Sequence, residues 1–580
     1  MNYLRECSFI LKQRKWRIGL AVLLIILLIG GLGAYHERHN IRRLMLVHQR
    51  YQRTDILSTN QIKVNLRAGV STKHTANTNQ LTKQYRADLQ RLTPGTDQAK
   101  VVVNPYHTSP LSGLILVKTK PAARVTVTVP GDTAATTITH QIKGYRRTHS
   151  VGVLGLYAGR TNHVRLTFTQ KDGHRTTSTY KLTTAPAPRA IGHNRLKTSH
   201  PQQMALGQGH SRLTFAVSSQ GLTYGLDAQG QIRWYSTAKI SHVFKRLSNH
   251  HLLVLTKISP KSPKYNALRE TDYYGRVYRQ VNFSGLFPTR QDPHKLATNT
   301  VIHHDAIELP NHHLLLTVDD GSKKFVEDTM IELNFRTGKI VKVIDLKRIL
   351  PKSAYQNYHG TTRPDGKIDW FHQNSMYYDT KRDELIISGR NQDMIFAINY
   401  RTTKLKWILA APERLPQSYR HFLLKPTTKH YHYNGGQHAV KLIQTTSHNG
   451  HQVALEFYDN NVPVTRGKTR QSKQWSAGTT VTIDQLNRTV TKTWRFGQSL
   501  GKRNFTNIVG SSYAVGKGNT LIGFGYADAG KRSEFIEVNR KSNRVVFDVD
   551  HTKFAHGDWS YRAQRMTLYP QNNFQLTTIK

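Results

Sequence analysis

Three short segments place histidine among polar side chains that could hold and move a charged group. They read His303-His304-Asp305, His372-Gln373-Asn374-Ser375 and Gly436-Gln437-His438-Ala439. Each opens an apolar, strand-like run. A fourth segment, Ser388-Gly389-Arg390-Asn391-Gln392, ends the second strand-like run after His372. In an antiparallel pair the end of one strand lies beside the start of its partner. Arg390 is therefore expected next to His372 and Asn374. Three histidines would suit zinc, with Asp305 as a further oxygen ligand. An arginine in that shell would repel the ion, however, and it suits an oxyanion instead. A sulfuryl or phosphoryl group in transfer spreads its charge over three oxygens, which Arg, His and Asn donors stabilise. One imidazole is then left as a nucleophile near neutral pH. The chain has 30 histidines, and isolated ones such as His421 or His448 read as surface residues. Three at the same place in successive repeats point to function.

The repeats must position them. The unit is four strands around polar turns. Segments 305–320 with 329–346 hold all four, as do 374–389 with 394–409. Further copies are 438–443, 453–460 and 478–496, then 512–525 and 533–550. Segment 222–235 and the pair 247–256 and 271–281 supply the remaining two. Six copies of roughly 40–50 residues predict a six-bladed β-propeller, here over 205–580, whose channel is lined by the starts of the innermost strands. Before it, residues 99–190 run as short Val-, Thr- and Ile-rich segments broken by Gly, Pro and Asp-Gly, which predicts a small β-sandwich. The fold class is all-β.

The N-terminus differs. Residues 1–17 are basic, and Ile18 to Ala34 is uncharged and apolar. That length is about the minimum for a membrane span. A transmembrane signal anchor is expected over 18–35, with 1–17 cytoplasmic and everything after it extracytoplasmic. Whether the anchor is cleaved stays open. Residues 36–98 are polar and read as a stalk. The formal net charge is +49. Such a field attracts polyanions, and an anionic cell-wall polymer is a partner to consider. No zinc-knuckle or RNP-like pattern accompanies it, so nucleic acid is not expected. The one cysteine, Cys7, precedes the apolar run, so the rest of the chain must be stable without disulfides. With 37% hydrophobic residues there is material for a large core.

Several motifs, in order, resemble the bacterial aryl-sulfate sulfotransferases that do not use the nucleotide donor PAPS. Asn104-Pro105-Tyr106 with PLSGLILVKT, and HSVGVLGLY at 149–157, look like that family's N-terminal sandwich. HHDAIELPN, FHQNSMYYD, SGRNQ and GGQHAVKL look like its active-site strands, and SYRAQRMTLYP at 560–570 like its C-terminal end. The resemblance runs from about Val101 to Pro570. It implies sulfuryl transfer from an aryl sulfate to a phenol by a ping-pong route without cofactor or metal. His438 matches the histidine that is transiently sulfated. His372, Asn374 and Arg390 match residues that hold the sulfuryl oxygens, and His304 or its neighbour His303 matches a further active-site histidine that protonates or steadies the leaving phenolate. Tyr106 is expected to reach the site from the sandwich. Some family members carry a disulfide near the site, which this chain cannot form. Two other readings stay open: a non-catalytic basic propeller bound to wall polymers, and a metal-dependent sulfatase or phosphodiesterase. The oligomeric state is open as well.

Overall fold

The computed structural model describes the chain from Ile56 to Ile579, except for 284–285, 289–295, 299, 361–362, 364, 446–449, 466–467, 470–471, 473, 556 and 570–573, with scattered residues before Ile56. Most of the expected anchor over 18–35 lies outside the described residues. Among those described, no helix is long and apolar enough to cross a membrane.

The protein is mostly β. Six sheets of four or five strands succeed one another along the chain. Their innermost strands are, in order, Ser560–Thr567, Ile240–Arg246, Ile302–Glu308, Gln373–Asp379, His438–Thr445 and Ser511–Gly516. From Ile240–Arg246 to Ser560–Thr567, each inner strand touches the next, and the strand Arg212–Ser218 of the first sheet meets Ile240–Arg246. The beginning and end of the six-sheet region are stitched together. Ser560–Thr567 pairs with Arg212–Ser218, and His193–Ser199 pairs with Val545–Thr552. Two sheet edges are covered in this way, and exposed edges invite aggregation. Alternating Val, Ile, Leu and Phe residues fill the spaces between sheets, with Leu316, Ile387, Phe396, Leu455 and Phe524 fully buried.

Ahead of these six sheets, the 18-residue strand Ser112–Val129 organises a separate six-stranded unit. Its first half pairs with Gly95–Val103 and Arg146–Leu154, and its second half with Ile138–Gln141 and Thr161–Gln170. One strand thus serves two packed layers.

The expected stalk over 36–98 is folded from Leu57 onward. A helix at Thr59–Leu66 starts with a capping box in which Ser58 and Gln61 exchange hydrogen bonds. It buries Leu57, Ile62 and Leu66 against the second and third sheets. Ala68–Val70 then adds a strand to the second sheet, and the helix Lys73–Arg91 lies on that sheet and on the six-stranded unit. The apolar positions Ile62 and Leu66 are four apart, the spacing that puts two side chains on one helix face. This local signal was masked by the polar average of the segment.

Candidate active site

Each inner strand that carries a site histidine is distorted at its start. His242, His304 and His372 have φ of 54°, 52° and 54°, and Ala439, next to His438, has 60°. The ladders slip there, between Ile240 and Phe244, Ile302 and Ala306, and His438 and Lys441. A left-handed backbone costs a non-glycine residue about 1–2 kcal/mol. Repeated strain of this kind is characteristic of functional sites, where it aims a side chain that a regular strand would direct elsewhere. Here it brings four imidazoles into a row. Ring centroids are 5.5 Å apart from His242 to His304, 4.4 Å from His304 to His372 and 6.4 Å from His372 to His438.

His438 is 3% exposed. Its Nδ1 lies 2.7 Å from Asn460 Oδ1 and 2.9 Å from Gly436 O. The amide of Asn460 cannot be turned round, because its Nδ2 donates to the carbonyls of Thr506 at 2.9 Å and Val509 at 2.8 Å. Both neighbours of Nδ1 are therefore acceptors, so Nδ1 carries the hydrogen and Nε2 keeps its lone pair. Burial, then Arg390 and His372, push the imidazole well below its usual pKa. His438 is neutral, and its Nε2 lone pair is free of a proton.

Arg390 follows the second strand of the fourth sheet. Its backbone N–H donates to His372 O at 3.1 Å, which is the adjacency expected from antiparallel pairing. Gly389 permits this turn, because a Cβ there would meet the Phe371 ring at 2.3 Å. The guanidinium donates to Asn391 Oδ1 at 2.8 Å and to Asn507 O at 3.1 Å. Its Nε is buried without a partner among the described residues.

His372 sits between two carboxylates, with Nδ1 2.5 Å from Asp369 Oδ2 and 2.7 Å from Glu327 Oε2. Burial opposes its charge, but Asp369 and Glu327 outweigh burial and raise it to about 10. It is a cation at neutral pH. His304 Nε2 also reaches Glu327, at 2.9 Å, and its Nδ1 lies 3.2 Å from Tyr561 Oη. Burial lowers His304 below its usual value despite Glu327. His304 is therefore the neutral neighbour, and the proton sits on His372. Glu327 is held well below the carboxylate range: burial works against this, and His372, His304 and His303 prevail.

The loops bearing Glu327 and Asp369 are fixed from beneath. Lys347, fully buried, donates to Asp328 at 2.8 Å, and Trp370 Nε1 donates to Asp328 at 2.6 Å. Lys367 binds Asp319 at 2.9 Å. Arg363 neutralises the outer oxygen of Glu327 at 2.8 Å.

Of the residues expected at the site, His438, His372, Arg390 and His304 come together. His303 packs its ring 5.0 Å from His304, and neither of its nitrogens has a partner among the described residues. Asn374 is beside the site but turned away from it. Its Nδ2 donates to Gln437 O at 2.7 Å and its Oδ1 accepts from Ser375. It holds the backbone that carries His438. Tyr106 is not brought in: its hydroxyl bonds to Thr82 at 3.1 Å and its ring packs on Tyr85. Sequence reasoning missed His242, Glu327, Asp369, Asn460 and Tyr561. Two groups among the described residues have donor spacings that could hold a cation, His303-His304-Glu327 and Glu327-Asp369-His372. They share Glu327, whose oxygens already serve Arg363, His304 and His372.

In this mostly β body a neutral, lone-pair-bearing imidazole lies among cationic side chains. The arylsulfotransferase family model matches residues 198–562, well over half of the chain, and the arylsulfotransferase Ig-like domain matches 100–185. The chain belongs to the arylsulfotransferase family, and its class is that of a sulfotransferase. It is 25% identical to arylsulfate sulfotransferase AssT of Escherichia coli O6:H1 over 47% of this chain and 54% of that protein, so this match spans about half of the relative's length. It is 22% identical to the AssT of Lelliottia amnigena over 84% of this chain and 96% of that protein. A putative 6-phosphogluconolactonase from Bacteroides fragilis aligns over 76% of this chain and 98% of that one, at 10% identity and a TM-score of 0.30.

Proposed function

We propose that the protein moves a sulfuryl group from an aryl sulfate to a phenol by a ping-pong route, with His438 as the carrier, at the centre of a six-bladed β-propeller. The observation that carries this reading is the fixed tautomer of His438, with Nδ1–H held by Asn460 and Gly436 and Nε2 left open. The Nε2 lone pair attacks sulfur in line. The sulfur–oxygen bond to the ring breaks, and its electron pair leaves on the phenolate. Positive charge developing on the imidazole is shared with Asn460 and Gly436 through Nδ1–H. The Arg390 guanidinium and the cationic His372 stabilise the equatorial oxygens. His372 also supplies a proton to the phenolate through its Nε2. A phenol has a pKa of about 10, as for tyrosine, and His372 is raised to about 10. Such a match makes proton transfer nearly balanced in both directions, as a ping-pong cycle requires. A second phenol returns the proton to His372 and takes the sulfuryl group from Nε2. His304 and Tyr561 keep Glu327, and through it His372, in place.

The same reading retains an N-terminal membrane anchor over 18–35 with the catalytic body outside, supported by the uncharged apolar run after a basic segment. The test is to supply the purified full chain with an aryl sulfate with and without a phenol. Phenolate release should depend on the acceptor, and sulfated acceptor should match it mole for mole. Free sulfate without acceptor, abolished by a chelator, would favour a metal-dependent hydrolase instead.

A further inference from the structure

The helix Lys73–Arg91 covers a cavity of about 460 Å³, whose other walls are the second sheet and the turn 106–108 of the six-stranded unit. Ligand pockets commonly have this size. His74, Asn77, Thr78 and Leu81 line it from the helix, at the three- and four-residue spacings of one helix face. Thr78 Oγ1 accepts the backbone N–H of Val277 at 3.0 Å and pins that face to the sheet. Tyr106, which does not reach the row of histidines, forms part of the wall here.

The sheet contributes Arg269, from the middle of the strand Ala267–Thr271. It is 7% exposed. A buried arginine is normally matched by a carboxylate, and this one has none. Its Nε donates to a neutral amide, Gln280 Oε1, at 2.8 Å. Its Nη1 and Nη2 form no hydrogen bond with a described residue, yet they are not sealed off, and both keep accessible surface. Asp272, on a small adjoining cleft, is already taken by Arg276 at 2.6 Å and Tyr278 at 3.2 Å. Burial alone therefore lowers Arg269 to about 10, with no acid opposing it. Burial, then the same guanidinium, lowers His74 to about 4, which sets the Arg269 charge close to that cavity residue. Lys239 and Lys257 also line the cavity, and none of its described lining residues is acidic. Leu81, Ile258, Pro260 and Val277 make the rest of the wall apolar.

We infer that this cavity, distinct from the row of histidines, binds a small organic oxyanion, with its charged head on Arg269 Nη1 and Nη2 and its apolar body against Leu81, Tyr106 and Val277. Two parallel N–H groups suit a pair of oxygens on one head. A carboxylate and a sulfate monoester both offer such a pair with a single negative charge, which one arginine beside a neutral His74 balances. Lys239 and Lys257 attract the anion toward the cavity.

The experiment is calorimetric titration of the full chain carrying His438→Ala, so that no sulfuryl group moves, with benzoate and separately with phenyl sulfate. One anion per chain should bind in a way that depends on Arg269. Adding Arg269→Met, which keeps the length of the side chain without its donors, should weaken that binding by about tenfold to a hundredfold, the loss expected for charge-assisted hydrogen bonds. Adding Leu81→Trp, which fills the cavity from the helix and leaves the guanidinium in place, should block it as well. With His438 restored, Arg269→Met and Leu81→Trp should each turn over aryl sulfate as the parent does, which shows that they are folded; if one fails this check, the other carries the comparison. The two probes separate the sources: benzoate alone assigns the site to carboxylates, phenyl sulfate alone to sulfate esters, and both to the shared oxyanion head. The inference is overturned if neither anion binds, or if the folded variants bind both as tightly as the His438→Ala chain does. Neither result would touch the role of His438, which is read by turnover.

Discussion

Asn460→Ala tests how the nucleophile is prepared. The substitution removes one of the two acceptors of His438 Nδ1–H and leaves Gly436 O at 2.9 Å. A net hydrogen bond is worth about 0.5–1.5 kcal/mol, and about 1.4 kcal/mol is a factor of ten in rate. The expected fall in kcat is thus about 3- to 10-fold, with KM little changed, because the lost contact acts on the ring and not on the substrate. The fall is moderate because Gly436 still favours the same tautomer. Stability should suffer more. The carbonyl of Val509 loses its buried donor, at about 1–3 kcal/mol for a group left unsatisfied, while Thr506 O keeps the Ser476 hydroxyl at 3.2 Å. Asn460→Asp separates the two effects. It keeps an acceptor for Nδ1–H but sets a carboxylate against those carbonyls, and its charge favours the imidazolium. The acid limb of the pH–kcat profile should then move to higher pH, since His438 would need to lose a proton before attacking. Initial rates of phenolate release from pH 5 to 11, with melting curves alongside, measure all of this. An unchanged kcat and pH profile in both variants, with only the melting temperature lowered, would refute the tautomer argument.

Other expectations follow from the same geometry. Arg390→Ala removes a preorganised donor from the developing charge and should lower kcat by about 100- to 1,000-fold, as loss of one such donor does elsewhere. His372 is raised from 6.5 to about 10. Its charge, and the stability that charge contributes, is fully present below about 6.5 and is lost as pH rises through about 10. Turnover should fall along that alkaline limb, and Glu327→Gln should move the limb to lower pH by removing one of the two carboxylates. A limb that does not respond to Glu327→Gln would assign the titration to another group. Tyr106→Phe removes only the contact with Thr82 and should cost about 1 kcal/mol of stability without altering kcat. A large kcat loss would return Tyr106 to the site.

Much of the architecture was legible in the order of strands and turns. The repeated unit located the third to sixth sheets well. The second was shifted: the strand taken as its first, 247–256, covers its second strand, Leu252–Thr256, and the true inner strand is Ile240–Arg246. That displacement hid His242, which occupies the same strained position as His304. Asn460 was within reach of the rule that found Arg390, because it follows the second strand of the fifth sheet and so lies near the start of the first, beside His438. Glu327 and Asp369 were not legible. They sit in irregular loops whose shape is set by buried pairs such as Lys347 with Asp328 and Lys367 with Asp319, and such pairs have no local periodicity. Asn374 lies beside the site, with its amide turned to the backbone before His438. Residue type revealed a donor, and only the fold shows that Gln437 O takes it.

The most direct test of the account is to mix the full chain with an aryl sulfate in the absence of any phenol acceptor, quench it within one turnover, and map added sulfuryl groups on its peptides by mass spectrometry. The account predicts one sulfuryl group per chain, on His438, discharged by adding phenol and absent in His438→Ala. Turnover with no labelled peptide at any time point, or a label that persists in His438→Ala, would contradict it.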